Sequence, residues 1–417
     1  MADSEARRSS ANAEAFHRLT TAEPVLEAIA PAAAVVPGMH ANLVLTSGPP
    51  MSWSAYHGGQ RRAVIGAALF EGLGVDEADV DAKLKRGEIS LDGCHGHGCV
   101  GSLAGVYSDS MPVFVVRNAN AGNVGYCNFY EGTNPRRLNY GVYDEGVRDR
   151  LLHVQNVVAP VVADAIGRTG GIPLKPLMKR ALHMGDELHS RNTAASLLFM
   201  RQISPALIRM AVDDPARVET AVAAITEDHY FFLRISMAAA KATADAAHGV
   251  EASSLVTAMA FNCEGFAIRV SGLGDEWFLG PHATVDARLF EGHGEDEITW
   301  MGGESIITET IGLGGFAQAA AFPLQAYQGG SPEAMVARNL ELYDIVWGEN
   351  PDYQIPYLRY RGTPTGIDVF KVLATGIRPV MDIGIAGRDG GQIGAGIVRA
   401  PIECFEKAAA AYRRRYG

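Results

Sequence analysis

The distribution of glycine is the feature of this 417-residue sequence that most restricts its fold. The chain has 47 glycines, which crowd residues 38–141 and 265–396 but become sparse between about 147 and 248. Glycine disfavours helices, because it loses more conformational entropy on folding than other residues. The glycine-rich regions also alternate short Val, Ile and Phe runs with Gly- and Pro-bearing turns, a pattern typical of strands mixed with helices.

The glycine-poor region has the composition and spacing of helices. Three stretches, 147–166, 176–210 and 218–247, are rich in Ala, Leu, Arg and Met, with apolar residues three and four apart. Gly170-Gly171 and Asp213-Asp214-Pro215 interrupt these stretches with residues that disfavour helix continuation. We therefore predict several helices here, with breaks at these two positions.

The length of the chain is sufficient for two or three domains, at about 150 residues each. Hydrophobic residues make up 47% and charged residues 20%, which is ordinary for a globular protein with a large core. Together with the glycine pattern, this predicts an α+β protein in which a mainly helical domain at 146–249 lies between two α+β domains, at 1–145 and 250–417.

Charge and cysteine content exclude several classes of protein. A net charge of −11 disfavours nucleic acids and anionic membranes as partners. The sequence has no run of 18 apolar residues, and residues 1–10 lack the apolar stretch of a signal peptide. Five unevenly spaced cysteines argue against a disulfide framework. We expect a soluble cytoplasmic protein that binds no nucleic acid and no membrane.

Cys94-His-Gly-His-Gly-Cys99 contains the densest group of reactive side chains in the sequence. Candidate strands at 88–91 and 111–116 flank it, so we expect it to form a loop held by a rigid scaffold. Four ligands so close together do not match the spacing of a structural zinc site. His95 and His97 are therefore candidate catalytic residues, and with a carboxylate they also suit a zinc ion. The alternative is that the segment simply packs in the core.

The segment Met-Gly-Asp-Glu-Leu-His-Ser-Arg-Asn carries a second set of polar residues. If it is helical, Asp186, His189 and Asn192 share one face, and Glu187 can pair with Arg191 on another. An Asp-x-x-His face can orient an imidazole or bind a metal. The alternative is a solvated helix face with salt bridges. The apolar residues that follow favour a helix that lies against a core.

Two glycine-rich turns are candidate anion sites. Thr308 to Phe316 leads into a helix-compatible stretch at 317–321, and backbone N–H groups at a helix N-terminus attract phosphate or carboxylate. Gly390 to Gly396 forms the second turn and lies close in sequence to Arg399. Neither turn matches a nucleotide-binding motif, and a plain tight turn is the alternative for both.

These segments occur in an order that resembles the YlbE-like family, which includes the AllG-type subunits of oxamate carbamoyltransferase. The resemblance extends from about Gly48 to Pro401. The matching motifs are Gly-Pro-Pro-Met-x-Trp (48–53), Leu-Phe-Glu-Gly (69–72), Cys-His-x-His (94–97), Tyr-Cys-Asn (126–128), Met-Gly-Asp-Glu-x-His-x-Arg-Asn (184–192), Ile-Arg-Val-Ser-Gly-Leu-Gly (268–274), Ile-Thr-Glu-Thr-x-Gly-x-Gly-Gly (307–315) and Gly-Gln-Ile-Gly-Ala-Gly-x-Val-Arg-Ala-Pro (391–401).

The resemblance implies a subunit that moves a carbamoyl group between a small ureide such as oxalurate and phosphate, with carbamoyl phosphate as the other reactant. It also implies partner subunits, and we expect a homo-oligomer. One departure concerns residues 99–105, where Cys-Val-Gly-Ser-Leu-Ala-Gly replaces the more usual Ala-Val-Gly-Pro-Met-Ala-Gly. This difference points to a member that acts on another amide or ureide.

Two further functions remain open. One is a stand-alone, metal-dependent or metal-free hydrolase of a small amide, ureide or cyclic imide, and the other is a non-catalytic scaffold. For either enzyme we predict one pocket, because acid–base chemistry on a carbamoyl group needs imidazoles oriented by carboxylates. The predicted catalytic residues are His95, His97, Asp186, His189 and Glu309, with Glu187 beside them. The predicted substrate- or anion-binding residues are Arg191, Asn192, Arg269, Gly312, Gly314, Gly315 and Arg399.

Overall fold

The computed structural model describes residues 2–129 and 131–417. Its α-helices are α1 (Ala2–Thr21), α2 (Ala32–Val35), α3 (Gly58–Phe70), α4 (Glu77–Arg86), α5 (Glu145–His153), α6 (Ala159–Thr169), α7 (Leu174–His183), α8 (Thr193–Met210), α9 (Pro215–Thr226), α10 (Phe231–Ala246), α11 (Ile307–Thr310), α12 (Gln325–Gln328), α13 (Pro332–Leu342), α14 (Val369–Thr375) and α15 (Ile402–Tyr416).

The strands lie mainly on either side of helices α5 to α10. They are β1 (Pro24–Pro31), β2 (Leu43–Thr46), β3 (Ser90–Gly93), β4 (Cys99–Val100), β5 (Val106–Tyr107), β6 (Pro112–Asn118), β7 (Val124–Asn128), β8 (Ile172–Pro173), β9 (Val256–Phe261), β10 (Phe266–Val270), β11 (Phe278–Gly280), β12 (Thr284–Leu289), β13 (Ile298–Thr299), β14 (Val346–Ile355), β15 (Arg361–Ile367), β16 (Val380–Gly387) and β17 (Gln392–Arg399).

The strands form several sheets. The largest has the order β4-β7-β6-β1-β8 and is antiparallel except between β4 and β7. A four-stranded sheet has the order β12-β17-β16-β13, and two three-stranded sheets have the orders β11-β10-β9 and β3-β2-β5. β14 and β15 form a separate antiparallel pair. The predicted mixture of helices and strands is confirmed.

Helices α5 to α10 and the two-residue strand β8 make up the glycine-poor region. Both predicted breaks are confirmed. Gly170 ends α6 in the left-handed conformation, with a φ of 75°, and the Asp214 side chain caps α9. Two of the predicted helical stretches are interrupted at additional places, because 184–192 separates α7 from α8 and 227–230 separates α9 from α10.

Helix α10 runs through the interior, and every residue from Phe231 to Ala244 is buried. A helix that is buried all round is expected to be apolar, so its polar residues need partners inside the protein. Arg234 Nη1 donates to Asn128 Oδ1 at 2.8 Å, and Ser236 Oγ donates to the carbonyl of Leu188 at 2.9 Å. Lys241 Nζ is 2.7 Å from the Asp245 carboxylate. This helix therefore connects several polar segments from its position in the core.

The two largest apolar cores cross the predicted domain boundaries. The first joins helices α6 to α10 to strands of the largest sheet, through residues such as Leu26 and Phe114. The second joins α3 to strands β9, β10, β16 and β17 and to α15, with Val64, Ile268 and Phe405 among its members. The helical region and the first sheet thus share one core, and the division into three domains stays a prediction.

The N-terminal helix is tied to a distant part of the chain. Asn12 in α1 is buried, and its Nδ2 donates to Ser254 Oγ at 2.9 Å and to Asp368 Oδ2 at 3.0 Å. Its Oδ1 accepts the Ser254 N–H at 2.8 Å. Asp368 in turn caps α14 by accepting the N–H of Phe370. One asparagine therefore satisfies polar groups from two separate segments.

The second predicted glycine turn is wrong in its extent. The turn ends at Gly390 and Gly391, which have φ values of 93° and 83°, and the residues from Gln392 onward form β17. Gly394 and Gly396 lie against β12, where a Cβ atom on either would overlap the backbone of that strand. These glycines therefore allow close strand pairing, which explains why a glycine-rich segment forms a strand here.

The five cysteines, Cys94, Cys99, Cys127, Cys263 and Cys404, are all free and buried, as the argument against a disulfide framework predicted. Across residues 2–129 and 131–417, none of the helices is both long and apolar enough to cross a bilayer.

Candidate functional site

The segment that carries His189 is a turn between α7 and α8, so its predicted helical face is wrong. Gly185 and Leu188 have φ values of 97° and 72°, in the left-handed region that ends a right-handed helix. Asp186 is buried and accepts the Ala195 N–H at 2.8 Å, in the first turn of α8. Burial raises the pKa of Asp186 to about 6. Its carboxylate therefore stabilises a helix start, and it does not orient His189.

Glu187 and Asn192 shape the same turn. The Glu187 carboxylate accepts backbone N–H groups from His189 at 3.1 Å and Arg191 at 2.9 Å, as well as that of Ser190. Asn192 Nδ2 donates to the carbonyl of His189 at 2.7 Å. Polar side chains that seemed available to a ligand are thus used to hold the backbone around one histidine.

His189 pairs with Glu309, which comes from the distant segment at α11. Nδ1 of His189 is 2.8 Å from Oε1 of Glu309, and both side chains are buried. The Glu309 carboxylate also accepts the N–H groups of Gly315 at 3.0 Å and Asp382 at 2.9 Å and the hydroxyl of Thr308 at 2.8 Å. So many donors fix the carboxylate, and the carboxylate fixes the ring through Nδ1, which leaves Nε2 as the nitrogen available to a ligand.

The surroundings of this pair are acidic. Burial lowers the pKa of His189, but the charge and hydrogen bond of Glu309 outweigh it, so the net pKa is raised. Burial, followed by the charge of Glu309, raises the pKa of Asp382 to about 6. Gln318 and Gln328 both donate to Asp382 Oδ1. The imidazole consequently keeps its proton to higher pH than a free histidine.

His189 lines a small pocket with a cavity volume of about 30 Å³, which is below the usual range for small-molecule sites. Several chain segments contribute to its wall, and most of the groups are neutral and polar. Tyr230 and Gln392 on this wall are both linked to the hydroxyl of Tyr327. The lining residues are Ser102, Leu103, Asn139, Tyr140, His189, Ser190, Tyr230, Leu233, Ser305, Gly384 and Gln392.

His97 does not lie with His189. It is at the end of a 3₁₀ turn, Cys94–His97, and its ring is partly exposed. Its Nδ1 is 2.6 Å from the carbonyl of Pro37, and its Nε2 is 3.2 Å from Asp92 Oδ2. Both ring nitrogens therefore have partners, and a metal shared with His95 would require these bonds to break.

His95 points inward toward α10. Its Nδ1 is 3.1 Å from Lys241 Nζ, and its ring packs edge-on against Trp277 at 5.1 Å. Burial and then the charge of Lys241 lower the pKa of His95 well below the usual value. Its Nε2 is buried and lies 3.9 Å from Glu304 Oε1. His95 is therefore an interior histidine whose surroundings favour the neutral ring. Its ring nitrogens face Lys241 and Glu304, whereas those of His97 face Pro37 and Asp92.

Glu304 is a buried residue that the sequence analysis missed. Its two carboxyl oxygens accept the N–H groups of Gly48 and Gly101, each at 2.8 Å. Burial raises the pKa of Glu304 to about 8. It thereby joins the Gly-Pro-Pro segment to the loop that follows His97. The preceding Gly302-Gly303 pair is a signal that could have identified it, because a Cβ on either glycine would overlap neighbouring atoms.

The two polar loops both contact α10. Lys241 contacts His95, and Ser236 contacts Leu188. These positions are five residues apart, or about 7.5 Å along a helix axis. The pocket wall includes Ser102, which follows β4, and His189 from the second loop. Both loops are thus anchored to α10, but no residue of the Cys94–Cys99 motif lines the pocket.

The predicted cationic ligands have partners within the protein. Arg191 Nε donates to the carbonyl of Gly185 at 2.9 Å and is 3.5 Å from Asp186. Arg269 is 3.1 Å from Asp245 and 3.3 Å from Asp275. Arg399 is 2.9 Å from Glu341. These contacts give each arginine a structural role, and none of the three lines the pocket around His189.

The prediction that the glycine turn after α11 opens onto an α-helix is wrong. Short 3₁₀ turns at Gly314–Phe316 and Gln318–Ala320 follow it, so the dipole of an aligned helix is missing. The N–H groups are also used: Gly312 donates to the Glu309 carbonyl at 3.1 Å and Gly314 to the Glu187 carbonyl at 2.8 Å. Gly315 donates to the Glu309 side chain, as described above. The turn therefore cradles Glu309, where a Cβ on Gly314 would overlap its carboxylate.

Comparisons with known proteins give a consistent result. A family model described as oxamate carbamoyltransferase subunit AllG matches residues 89–305. Oxamate carbamoyltransferase subunit AllG of Escherichia coli K12 is 38% identical over 412 residues, which cover 98% of each chain. Uncharacterized protein YahG of the same organism is 41% identical over 409 residues, covering 98% of this chain and 86% of the relative. A crystal structure of a conserved protein of unknown function from Enterococcus faecalis V583 is similar with a TM-score of 0.94, 37% identity and 98% coverage of both chains.

Proposed function

The chain belongs to the AllG family of oxamate carbamoyltransferase subunits, and on this premise we propose that it moves a carbamoyl group between a small ureide such as oxalurate and phosphate. The observation that supports this proposal is the buried His189–Glu309 pair at the wall of a small pocket. An imidazole oriented by a carboxylate is a common general acid–base catalyst. The pocket is therefore the candidate active site.

In this proposal His189 supplies the proton that the reaction needs. In the direction of ureide breakdown, a phosphate oxygen attacks the carbamoyl carbon, the bond from that carbon to the oxamate nitrogen breaks, and Nε2 of His189 gives its proton to that nitrogen. The proton lost by phosphate restores the imidazolium. In the reverse direction Nε2 takes the proton back. The raised pKa of His189 favours the protonated form from which the first step begins.

The pocket wall suits a neutral amide group. Asn139 Oδ1 is buried and has no hydrogen-bond partner among the residues that the structure describes. A ureide N–H is a donor that would satisfy it, and buried polar atoms are nearly always satisfied. Ser102 and Gln392 offer further neutral donors and acceptors on the same wall.

The lack of cationic side chains on the described pocket wall supports the participation of partner subunits in phosphate binding. Within 2–129 and 131–417, the wall of this pocket contains neither Lys nor Arg. A phosphate dianion normally needs cationic or clustered N–H donors. We therefore propose that a partner subunit supplies them when the assembly forms, which accords with a chain that is one subunit of a transferase.

The test is an assay with oxalurate and phosphate that measures carbamoyl phosphate and oxamate. The chain is assayed alone and after co-expression with the products of adjacent genes. We expect activity in the assembly, and we expect His189→Ala to lower turnover by about 10²- to 10⁴-fold. His183→Ala is the matched control, because His183 is an exposed histidine at the end of α7.

Two results would contradict the proposal. Hydrolysis of amides or ureides by the chain alone, without phosphate, would favour the stand-alone hydrolase. Normal turnover of the folded His189→Ala protein in the active assembly would remove His189 from the mechanism.

A further inference from the structure

A group of possible metal ligands lies outside the pocket described above. His57, Cys263 and Glu264 each offer one ligand atom, and these three atoms all lie within 4.8 Å of one another. His57 precedes α3, whereas Cys263 and Glu264 lie in the turn between β9 and β10. Nε2 of His57 is 3.2 Å from Oε1 of Glu264. In the part of the chain that the structure describes, this is the one such group of three or more His, Cys, Asp and Glu residues.

The backbone that carries these ligands is held in place by other side chains. Asn262 Oδ1 accepts the N–H groups of Glu264 at 2.9 Å and Gly265 at 3.0 Å, which closes the turn. Gln60 in α3 accepts the N–H of Cys263 at 2.9 Å. The same side chain of Gln60 donates to the carbonyl of Ser47 at 2.8 Å. The relative position of the two segments is thus fixed without a ligand, which lowers the entropic cost of binding one.

A second imidazole lies against this group. His282 follows β11 and stacks on Trp300 with ring centres 4.8 Å apart and planes within 6°. Its Nδ1 is buried and has no hydrogen-bond partner among the described residues. His282 also has a hydrogen bond with the backbone of Cys263, so its ring lies next to this group without being one of its three members.

We propose that His57, Cys263 and Glu264 bind one divalent zinc-class ion, with His282 beside the site. A thiolate, an imidazole and a carboxylate together match the ligands of zinc. Calcium and magnesium prefer oxygen ligands alone, so the sulfur and nitrogen atoms select against them. His57 and Glu264 are about half exposed, which gives the ion a path from solvent to the buried Cys263 sulfur.

The bound ion would join the start of α3 to the β9–β10 turn. Zinc binds the thiolate form of cysteine, so binding must displace a proton from the Cys263 sulfur. Zinc affinity should therefore fall as the pH is lowered, because protons compete for the thiolate and for the imidazole of His57.

The experiment uses the full-length protein prepared without a polyhistidine tag. Zinc chloride alone is titrated into metal-free protein by calorimetry, and Co²⁺ is added separately to detect the absorption of a cobalt–thiolate bond. We expect one equivalent of zinc to bind and the cobalt–thiolate band to appear. Loss of an outer-shell residue typically weakens metal binding by about 10- to 100-fold, so Cys263→Ser and His57→Ala should each weaken it by at least that factor.

His293→Ala is the matched control. His293 and Glu297 form a partly exposed pair 2.9 Å apart, with no cysteine in a comparable group within the described residues. This variant should bind zinc as tightly as the wild type. His57 is partly exposed, so His57→Ala is expected to fold even if Cys263→Ser does not.

Three results would overturn the proposal in whole or in part. Absence of stoichiometric zinc binding, or equal affinity in the folded His57→Ala protein, would remove the site. A loss of binding in His293→Ala as large as that in His57→Ala would place the ion elsewhere on the surface.

Discussion

Two buried histidine–glutamate pairs in the described part of the chain differ in the direction in which the pKa of the histidine is shifted. At His189 and Glu309 the nitrogen–oxygen distance is 2.8 Å, and the pKa of the histidine is raised. At His95 and Glu304 the distance is 3.9 Å, the pKa of the histidine is lowered, and the pKa of Glu304 is raised to about 8. The surroundings of the first pair therefore favour the charged imidazole, and those of the second favour the neutral imidazole and the neutral carboxyl.

The neighbouring charges explain this difference. His95 is 3.1 Å from the ammonium group of Lys241, which disfavours a second positive charge. His189 instead faces Glu309 and feels the charge of Asp382, both of which favour the imidazolium. Residue types alone would make the two histidines equivalent. Burial, and then the charge of Lys241 in α10, lower the pKa of His95, whereas the carboxylates of Glu309 and Asp382 raise that of His189.

The largest effect on stability is expected for Glu309→Ala. This change leaves the buried charge of His189 and the N–H groups of Gly315 and Asp382 without their acceptor. Breaking a buried ion pair by removal of one partner typically costs about 3–5 kcal/mol. Urea denaturation of Glu309→Ala should show a loss of this size, and Glu309→Gln, which keeps one oxygen acceptor, should lose less. A loss below about 1 kcal/mol would show that the pair is not ionic.

Glu304→Gln should change the dependence of stability on pH. The unperturbed carboxyl has a pKa of 4.5 and the folded one a pKa of about 8. Between these values the native state holds a proton that the unfolded state releases, so the contribution of Glu304 to stability falls as the pH rises. Glutamine cannot titrate, so the pH dependence of the unfolding free energy should become shallower by up to about 1.4 kcal/mol per pH unit in this variant. Denaturation between pH 4.5 and 8 measures the slope, and the exposed Glu291→Gln is a control that should retain it.

Lys241→Met tests how much the charge of Lys241 contributes to the difference between the pKa values of His95 and His189. Methionine has a similar length but no charge, so the pKa of His95 should rise toward its usual value. The pKa of His189 should stay raised, because Lys241 is not among the groups that shift it. Titration of the two imidazoles by nuclear magnetic resonance gives both values. An unchanged pKa of His95 would assign its shift to burial alone.

The smallest effect is expected for His97→Ala. The ring is partly exposed, and its ion-pair partner Asp92 is half exposed, so the interaction is worth at most about 1 kcal/mol. Turnover of the assembled enzyme should remain close to that of the wild type, because the pocket wall does not include His97. A large loss of turnover with an unchanged melting temperature would restore His97 as a catalytic candidate.

Part of the fold was predictable because it depends on local sequence. Gly170 and Asp214-Pro215 are ordinary helix-ending and helix-starting residues, and they act as such. The turn at 184–192 was harder, because Leu188 adopts a positive φ that its side chain disfavours and that distant contacts must stabilise. Gly394 and Gly396 recur at the two-residue period of a strand, a signal that their glycine content concealed.

The candidate site was predictable in composition but not in geometry. His189 and Glu309 both belong to motifs that the sequence analysis identified as candidates. Their pairing, however, joins residues 120 positions apart in the sequence. His95 and His97 could not be told apart, because the side on which each ring lies depends on the turn type. In a 3₁₀ turn, residues two apart lie about 240° apart around the axis, so the two rings point to different sides. Glu304 and Lys241 were missed because each gains its role only through partners distant in sequence.

The contacts of Asn12 have a consequence for synthesis of the protein. Helix α1 leaves the ribosome well before Asp368, one of the partners of Asn12, which follows 356 residues later. At translation rates of about 5–20 residues per second, this helix waits roughly 20–70 s before that partner exists. During that interval the apolar side of α1 is without its final neighbours. We therefore expect nascent chains of intermediate length to recruit chaperones at this helix, and the full-length chain to release them once Asp368 has emerged.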